Sequence, residues 1–149
     1  HLHRYSAGVG IGNMTVSATW QVLNINEPII KKLEADLRRA CSSLLNSEIF
    51  IHESFVNVYH GKSQIVKHNH AIKMDEDLAI SAQKFSLVYY LRVGDQNAAQ
   101  PGILKLYDPI ENILPCEGMI IIFRADRDHS VVYNGKKDRV IIGINFYSF

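Results

Sequence analysis

The 149-residue chain contains few cysteines, few prolines and no excess of either charge. Its two cysteines, Cys41 and Cys116, are too few for a disulfide-stapled secreted domain, so we expect both to be buried, reduced thiols. Lysine and arginine number 16 against 15 for aspartate and glutamate, which leaves a net charge of +1. A near-neutral chain lacks the basic surface that binds nucleic acids or anionic membranes, and we expect neither partner.

Long hydrophobic runs are also missing. The apolar run Met119–Phe123 is far too short to cross a bilayer, and the first residues show no signal-peptide pattern. We therefore expect a cytoplasmic protein. With 47% hydrophobic and 21% charged residues, the chain is expected to form a single globular domain over residues 1–149. The pattern predicts nothing about its oligomeric state.

One amphipathic helix is predicted over residues 26–46, after an irregular stretch of 25 residues. Asn26 is a good N-cap and Pro28 suits the first turn. Apolar residues then recur at three- and four-residue spacing, and the intervening face is charged. The residues expected to pack against the outer face of a sheet are Ile30, Leu33, Leu37 and Leu44.

From residue 49 to about residue 147 the chain alternates short segments rich in Val, Ile, Tyr and Phe with turn-forming residues. The predicted strands are Ile49–Tyr59, Gln64–His70, Lys84–Arg92, Ile103–Tyr107, Met119–Phe123, His129–Tyr133 and Arg139–Tyr147. One helix followed by many short strands predicts an all-β jelly-roll-like barrel with the helix packed on its outside.

A His-x-His pattern marks a candidate metal site. His68 and His70 are two residues apart, so their imidazoles lie on one face of a predicted strand. Such a pair can bind one ion of iron, zinc, copper or nickel. His129, at the start of a later predicted strand, offers a third imidazole. From this pattern alone, two half-exposed histidines on a polar strand remain an open alternative.

The last predicted strand carries an arginine towards the inside of the barrel. Alternation turns Arg139 and Asn145 to the face opposite the apolar row, where both are candidates for binding a cosubstrate. A buried arginine needs an anion, and a dicarboxylate that chelates a metal with its other end would supply one. Because Arg139 follows His129 by ten residues, we expect a hairpin that sets them on adjacent strands. A surface arginine at a strand entrance is the alternative, and Lys105 is a weaker candidate for lining the site.

Six segments follow one another in the order of a known family. They are Phe55–Tyr59, His68–His70, Ser86–Leu91, Pro101–Tyr107, Glu117–Phe123, and His129 followed by Arg139–Phe146. From about Phe55 to the C-terminus the chain resembles the 2-oxoglutarate/iron(II)-dependent oxygenases, particularly their prolyl-hydroxylase-like branch.

This resemblance implies a double-stranded β-helix that binds Fe(II) and uses 2-oxoglutarate and O2. His68 and His129 match the family's two metal histidines. Arg139 matches the residue that pairs with the distal carboxylate of 2-oxoglutarate. Tyr59 and Tyr90 match positions that help to hold this cosubstrate.

Residue 70 departs from the common motif, which is His-x-Asp/Glu followed by a distal histidine. Here it is a histidine, as in a related branch that carries His-x-His. We expect His70 to be the third ligand, and the alternatives are a water in its place or Asp75 as a substitute carboxylate. A neutral ligand leaves more positive charge on the metal than a carboxylate does.

The predicted activity is 2-oxoglutarate-dependent hydroxylation of a C–H bond in a peptide, a protein residue or a small metabolite, with release of succinate and CO2. The helix and residues 71–83 are expected to border the substrate cleft, although no motif identifies the substrate. Two other classes stay open: a cupin-like metal-dependent barrel that does not use 2-oxoglutarate, and a non-catalytic β-sandwich binding domain. The cupin alternative leaves an inward Arg139 unexplained.

Overall fold

The computed structural model describes residues 9–149, and this part of the chain is mainly β-structure. The strands are β1 (Gly10–Val16), β2 (Ile49–His68), β3 (Lys84–Arg92), β4 (Pro101–Leu106), β5 (Glu111–Ile113), β6 (Ile120–Arg124), β7 (His129–Tyr133) and β8 (Arg139–Ser148). The α-helices are α1 (Pro28–Leu45) and α2 (Lys73–Asp77), and 3-10 turns lie at Val22–Asn24 and Ser81–Gln83. No helix within residues 9–149 combines the length and the apolar character needed to span a membrane.

The strands form one curled sheet in the order β5-β4-β7-β2-β8-β3-β6, and β1 pairs with β2. All of these pairings are antiparallel. The sheet is only a half-barrel, whereas the sequence predicted a jelly-roll-like barrel. Its curvature is consistent with the core of a jelly roll.

Strand β2 is continuous, although the sequence predicted two separate strands, Ile49–Tyr59 and Gln64–His70. Its first part pairs with β8, from Ile49 to Tyr59, and its last part pairs with β7, from Ser63 to His68. Between these parts, Gly61 and Lys62 adopt positive φ angles of 89° and 49°. Turn-type residues therefore bend this strand without ending it, as in a β-bulge.

Two further predictions about strands are wrong, because they depend on which strands pair in the folded sheet. The N-terminal stretch predicted to be irregular contains β1, which pairs with β2 from Gly10↔Ile65 to Val16↔Asn57, and residues 1–8 lie outside the described residues. Strands β7 and β8 do not form the predicted hairpin, because β2 lies between them and pairs with both. The length of β2 makes this double pairing feasible.

Helix α1 begins at Pro28, with Glu27 and not Asn26 as its N-cap. It ends at Leu45, and the C-cap residue Asn46 adopts a left-handed conformation. Leu37 and Cys41 are buried in a cluster shared with the sheet. The other buried members of this cluster are Leu23, Ile49, Leu87, Ile142, Ile144 and Phe146. The predicted burial of Leu44 is wrong, since this residue is 71% exposed. The packing of α1 on the outer face of the sheet stays a prediction, which this cluster supports.

The two cysteines differ in environment. Cys41 is buried, and desolvation raises the pKa of its thiol to about 11, so the thiol stays protonated at neutral pH. Cys116 is exposed on the segment between β5 and β6, which contradicts the expectation that both thiols are buried. Both thiols are free.

Leu37→Asp is expected to destabilise the protein by several kcal/mol, roughly 3 kcal/mol or more, because it places a charge in the buried cluster. The matched control is Leu44→Asp, on the exposed face of the same helix, which should cost about 1 kcal/mol or less. Urea denaturation followed by circular dichroism measures both free energies of unfolding. Equal free energies for the two variants would contradict the packing of α1 through Leu37.

Candidate metal centre and its cavity

A cavity of about 350 Å³ is lined largely by alternate residues of β2, β3 and β8. This volume falls in the range of small-molecule pockets. Strand β2 contributes Glu53, Phe55, Asn57 and Tyr59 from its first part and Ile65 and His68 from its last part, and the β8 contribution includes Arg139, Ile141, Gly143 and Asn145. Period-two geometry thus brings the predicted residues Tyr59, Tyr90, Arg139 and Asn145 to one cavity.

Three histidines converge at this cavity. His68 and His129 are register partners on β2 and β7, and His70 follows two residues after the end of β2. The ring centroids of His68 and His129 are 4.3 Å apart, and that of His70 lies 5.0 Å and 5.1 Å from them. One nitrogen from each ring lies within 4.8 Å of the others, so a single metal ion is within reach of all three.

Backbone carbonyl groups orient two of these rings. His68 Nδ1 lies 2.8 Å from the carbonyl oxygen of Val66, and His129 Nδ1 lies 3.2 Å from that of Arg127. Since a carbonyl oxygen only accepts, each Nδ1–H donates and each Nε2 keeps a free lone pair. This arrangement is typical of metal-binding histidines.

His70 has a different environment. Its Nδ1 lies 3.4 Å from Asn145 Nδ2, which is a donor. The amide of Asn145 is oriented by two other contacts: Ser86 Oγ donates to its Oδ1 at 2.8 Å, and its Nδ2 donates to Glu53 Oε2 at 2.8 Å. The His70 ring therefore lies next to the hydrogen bonds of Asn145, whereas backbone carbonyl groups orient the rings of the other two histidines.

Burial keeps two of the imidazoles neutral. Desolvation, together with the neighbouring histidines and Lys84, lowers the pKa of His70 from 6.5 to about 3. Desolvation and His68 likewise lower the pKa of His129 to about 4. A divalent cation binding to these two side chains at neutral pH would displace no proton.

Arg139 is buried at the other end of the β8 face, with only 1% of its surface exposed. Its Nη1 donates to the carbonyl oxygens of Pro101, at 3.3 Å, and Gly102. The rings that surround its guanidinium are Tyr90 at 5.2 Å, Tyr59 at 5.5 Å and Tyr133 at 6.0 Å.

This guanidinium forms no ion pair with any residue from 9 to 149. Arg139 Nε and the hydroxyl of Tyr90 are both buried without a hydrogen-bond partner. A buried charge and two buried donors without acceptors are costly unless an anion satisfies them. This end of the cavity therefore fits a carboxylate.

Gly102 is a site residue that sequence reasoning missed. It has a φ angle of 85°, and a Cβ atom there would overlap the guanidinium of Arg139. The predicted strand begins only at Ile103, whereas Pro101 and Gly102 already belong to β4 and supply carbonyl groups to Arg139. The only sequence signal was the glycine itself, at the edge of a predicted strand.

Glu53 is the second residue that was missed. It is the register partner of Asn145, as Tyr59 is the partner of Arg139. The two pairs are six residues apart on β8, or about 20 Å along an extended strand. On a strand every second side chain points to the same face, so Glu53, six residues before Tyr59, lies on the face of Tyr59. This alternation is the sequence signal that could have identified Glu53.

Asp75 lies outside the histidine cluster, so its role as a substitute ligand is not supported. Its buried carboxylate pairs with Lys84 Nζ at 2.8 Å and accepts from the hydroxyl of Tyr147 at 2.6 Å. Burial favours a higher pKa for this carboxyl, but the hydrogen bonds from Lys84 and Tyr147 outweigh it and lower the pKa. This ion pair links α2 to the start of β3.

Other expected cavity residues lie elsewhere. Lys105 is positioned over the ring of Tyr107, 5.0 Å from its centroid, and does not line the cavity. Neither α1 nor residues 71–83 contribute to the lining, which contradicts the expectation that they border the cleft. The 44% exposed Trp20 and the partly exposed Glu53 occupy the solvent side.

No known family model matches this sequence, and no curated protein matches it. Solved structures do match. A Pseudomonas putida prolyl-4-hydroxylase is 17% identical, with a TM-score of 0.68, over 99% of this chain and 78% of that one. The viral collagen prolyl hydroxylase of Paramecium Bursaria Chlorella virus-1, solved with 2-oxoglutarate, is 15% identical, with a TM-score of 0.70, over 92% of this chain and 80% of that one.

A Burkholderia pseudomallei oxidoreductase of the 2-oxoglutarate–Fe(II) oxygenase family is 16% identical, with a TM-score of 0.64, over 93% of this chain and 71% of that one. At such low identity the likeness is one of fold, and activity has to be argued from the side chains. The chain therefore has the fold of the 2-oxoglutarate–Fe(II) oxygenases and prolyl hydroxylases, and within that fold it carries a cluster of three histidines.

Proposed function

We propose that this protein is an Fe(II)- and 2-oxoglutarate-dependent oxygenase that hydroxylates a C–H bond. The balanced reaction is R–H plus O2 plus 2-oxoglutarate giving R–OH, succinate and CO2. The observation that carries the proposal is a three-histidine cluster and a buried arginine without an anionic partner in one cavity. The half-barrel is then the core of a double-stranded β-helix.

The histidine cluster fits a divalent metal. His68 and His129 would bind it through Nε2, since their Nδ1 atoms donate to carbonyl groups. His70 would be the third ligand, which makes the protein part of the site neutral. Imidazole nitrogens are suitable ligands for iron. When bound, the iron supplies the O2 chemistry that oxidises the C–H bond.

The Arg139 end fits the distal carboxylate of 2-oxoglutarate. Arg139 Nε and the Tyr90 hydroxyl are buried donors without acceptors, and Gly102 leaves room for the guanidinium. Burial raises the pKa of Tyr90 to about 12, so its hydroxyl stays protonated and donates at neutral pH. Burial also raises the pKa of Tyr59, whose ring flanks the same guanidinium.

The walls between these two groups are apolar. Leu104, Phe123, Val131 and Ile141 line the cavity and belong to one buried cluster. Apolar walls exclude water, which strengthens the interaction of Arg139 with an anion. They also limit the reaction of water with an oxidising site.

The two alternatives explain less of this cavity. A cupin-like barrel that does not use 2-oxoglutarate accounts for the histidines but leaves the buried charge of Arg139 without an anion. A non-catalytic binding domain accounts for neither group. The oxygenase proposal gives each of them a partner.

Replacing each histidine in turn tests which of them bind the metal. His68→Ala and His129→Ala are expected to abolish tight Fe(II) binding, since two remaining ligands seldom retain a labile divalent ion. His70→Ala should weaken binding, and His70→Asp should preserve it because a carboxylate also binds iron. Anaerobic Fe(II) titration measures the affinities, with the exposed His60→Ala as the matched control. Unchanged affinity in His70→Ala would remove this residue from the ligand set.

Arg139→Ala should weaken 2-oxoglutarate binding while nearly preserving Fe(II) affinity. Loss of a sheltered, charge-assisted contact costs about 2–4 kcal/mol, or about thirtyfold to a thousandfold in affinity. Arg139→Lys keeps the charge without the planar fork, so its affinity should fall between those of wild type and Arg139→Ala.

Anaerobic calorimetry of the Fe(II)-loaded proteins gives these 2-oxoglutarate affinities. The matched control is Arg92→Ala, which removes an exposed arginine outside the cavity. Equal 2-oxoglutarate affinities in wild type, Arg139→Ala and Arg139→Lys would count against the oxygenase and favour the cupin-like alternative.

A further inference from the structure

The cavity end remote from Arg139 carries one carboxylate. Among the described residues that line the cavity, Glu53 is the only acidic side chain. Its Oε2 accepts from Asn145 Nδ2 at 2.8 Å, and its side chain is 36% exposed. The basic group near it is His52, whose Nε2 lies 3.9 Å from Oε1, and no lysine or arginine of residues 9–149 pairs with it. Glu53 therefore presents its negative charge to this end of the cavity.

Two aromatic rings stand beside this carboxylate. Trp20 and Phe55 pack edge to face with their centroids 4.8 Å apart, and both line the cavity. Trp20 is anchored to β2 because its carbonyl oxygen accepts from the amide of Ser54 at 2.8 Å. The ring of Phe55 occupies the space that a Cβ on Gly143 would need. The backbone of Trp20 is thus fixed beside β2, and the missing side chain of Gly143 leaves the space that the Phe55 ring fills.

Carboxylates and aromatic faces are the protein groups that attract organic cations. A carboxylate forms charge-assisted hydrogen bonds with ammonium and guanidinium groups. An aromatic face attracts the same groups through its quadrupole, most strongly when the ring is tryptophan. The Glu53 end combines both and would repel an anion.

The cavity is therefore polarised along β2 and β8. The part that fits a metal-chelating dicarboxylate extends from Arg139 to the histidines, and the register places Glu53 at the end opposite Arg139. With the dicarboxylate bound, the space beside Glu53, Trp20 and Asn145 is left for the molecule to be oxidised. Asn145 touches both Glu53 and His70, so this space adjoins the histidine cluster.

We propose that the Glu53 end binds an ammonium or guanidinium group, so that the substrate is an organic cation. The identity of this cation as the substrate rests on the proposed function, but its binding can be measured without turnover. Ammonium and guanidinium groups occur in free amino acids, such as lysine and arginine, and in the same side chains of a peptide.

The first experiment compares two ligands that differ in charge. Wild-type protein loaded with Fe(II) and 2-oxoglutarate is titrated anaerobically with n-pentylamine, which is protonated at pH 7.5, and with 1-pentanol. The cation is expected to bind on the order of tenfold more tightly or better, as a charge-assisted contact requires. Equal affinities for the two ligands would overturn the proposal.

The second experiment removes the charge of Glu53. Glu53→Gln keeps an oxygen that accepts from Asn145, so its expected effect is loss of the preference for n-pentylamine. The matched control is Glu48→Gln, which removes an exposed carboxylate outside the cavity and should keep the preference. A preference that survives in Glu53→Gln would overturn the proposal and leave Glu53 as a positioning residue for Asn145.

A third measurement needs no variant. Trp20 is the only tryptophan of the chain, so its fluorescence reports on this end of the cavity. Titration of wild-type protein with n-pentylamine should change the Trp20 emission with the same dissociation constant as in calorimetry. Binding without a change in emission would put the cation elsewhere and overturn the proposal.

Two arms identify the source of the cation. The affinity of free L-lysine is compared with that of its Nε-acetylated form, and the same comparison is made for a blocked Gly-Lys-Gly peptide. The pair whose unacetylated form binds more tightly identifies the source. Preference for the form with the side-chain ammonium group in either pair supports the proposal, and preference in neither overturns it. If 2-oxoglutarate binds but cations show no preference, only the substrate class is wrong. If cations bind at Glu53 but 2-oxoglutarate does not, the oxygenase proposal is the one that fails.

Discussion

The double pairing of β2 is the constraint on which the site depends. Because β2 pairs with β8 in its first part and with β7 in its last part, one strand carries both Tyr59, opposite Arg139, and His68, opposite His129. The backbone hydrogen bonds of an antiparallel ladder fix which residues lie opposite each other. The separation between the histidine cluster and the arginine is therefore set by the sheet and not by loops.

Burial then determines the charge state of each group in this frame. Desolvation leaves His70 and His129 neutral, with lone pairs available for a metal. Arginine cannot give up its proton at accessible pH, so burial leaves Arg139 as a fixed cation. The buried pair of Asp75 and Lys84 is the contrasting case, since each charge there already has its partner. The same desolvation thus leaves neutral imidazoles at one point of the site, a cation without an ion-pair partner among residues 9–149 at another, and a structural ion pair beside them.

The cavity is asymmetric as a result. Its closed end is cationic and lined with tyrosine rings, whereas its solvent side carries Glu53 and Trp20. Two ligands of opposite charge can occupy such a cavity together, because each is attracted to one end and repelled by the other. The proposed pair of a dicarboxylate cosubstrate and a cationic substrate follows from this arrangement.

Local patterns in the sequence determined the strands β3, β7 and β8, the amphipathic α1, and the His-x-His and Arg139 signals. These features depend on neighbouring residues, since period two and period 3.6 are properties of single elements. The alternation of β8 in particular turns Arg139 and Asn145 to the same face, and both line the cavity.

Only the tertiary structure decided which elements meet. Strand β1 is stabilised by its pairing with β2, and no local pattern in its glycine-containing sequence predicts that pairing. The separation of β7 from β8 by β2 is a choice of partners far apart in the chain, which spacing along the sequence does not encode. The contact of Gly102 with Arg139, that of Glu53 with Asn145 and the pairing of Asp75 with Lys84 likewise join residues far apart in the chain, and the packing of the whole sheet sets these neighbours.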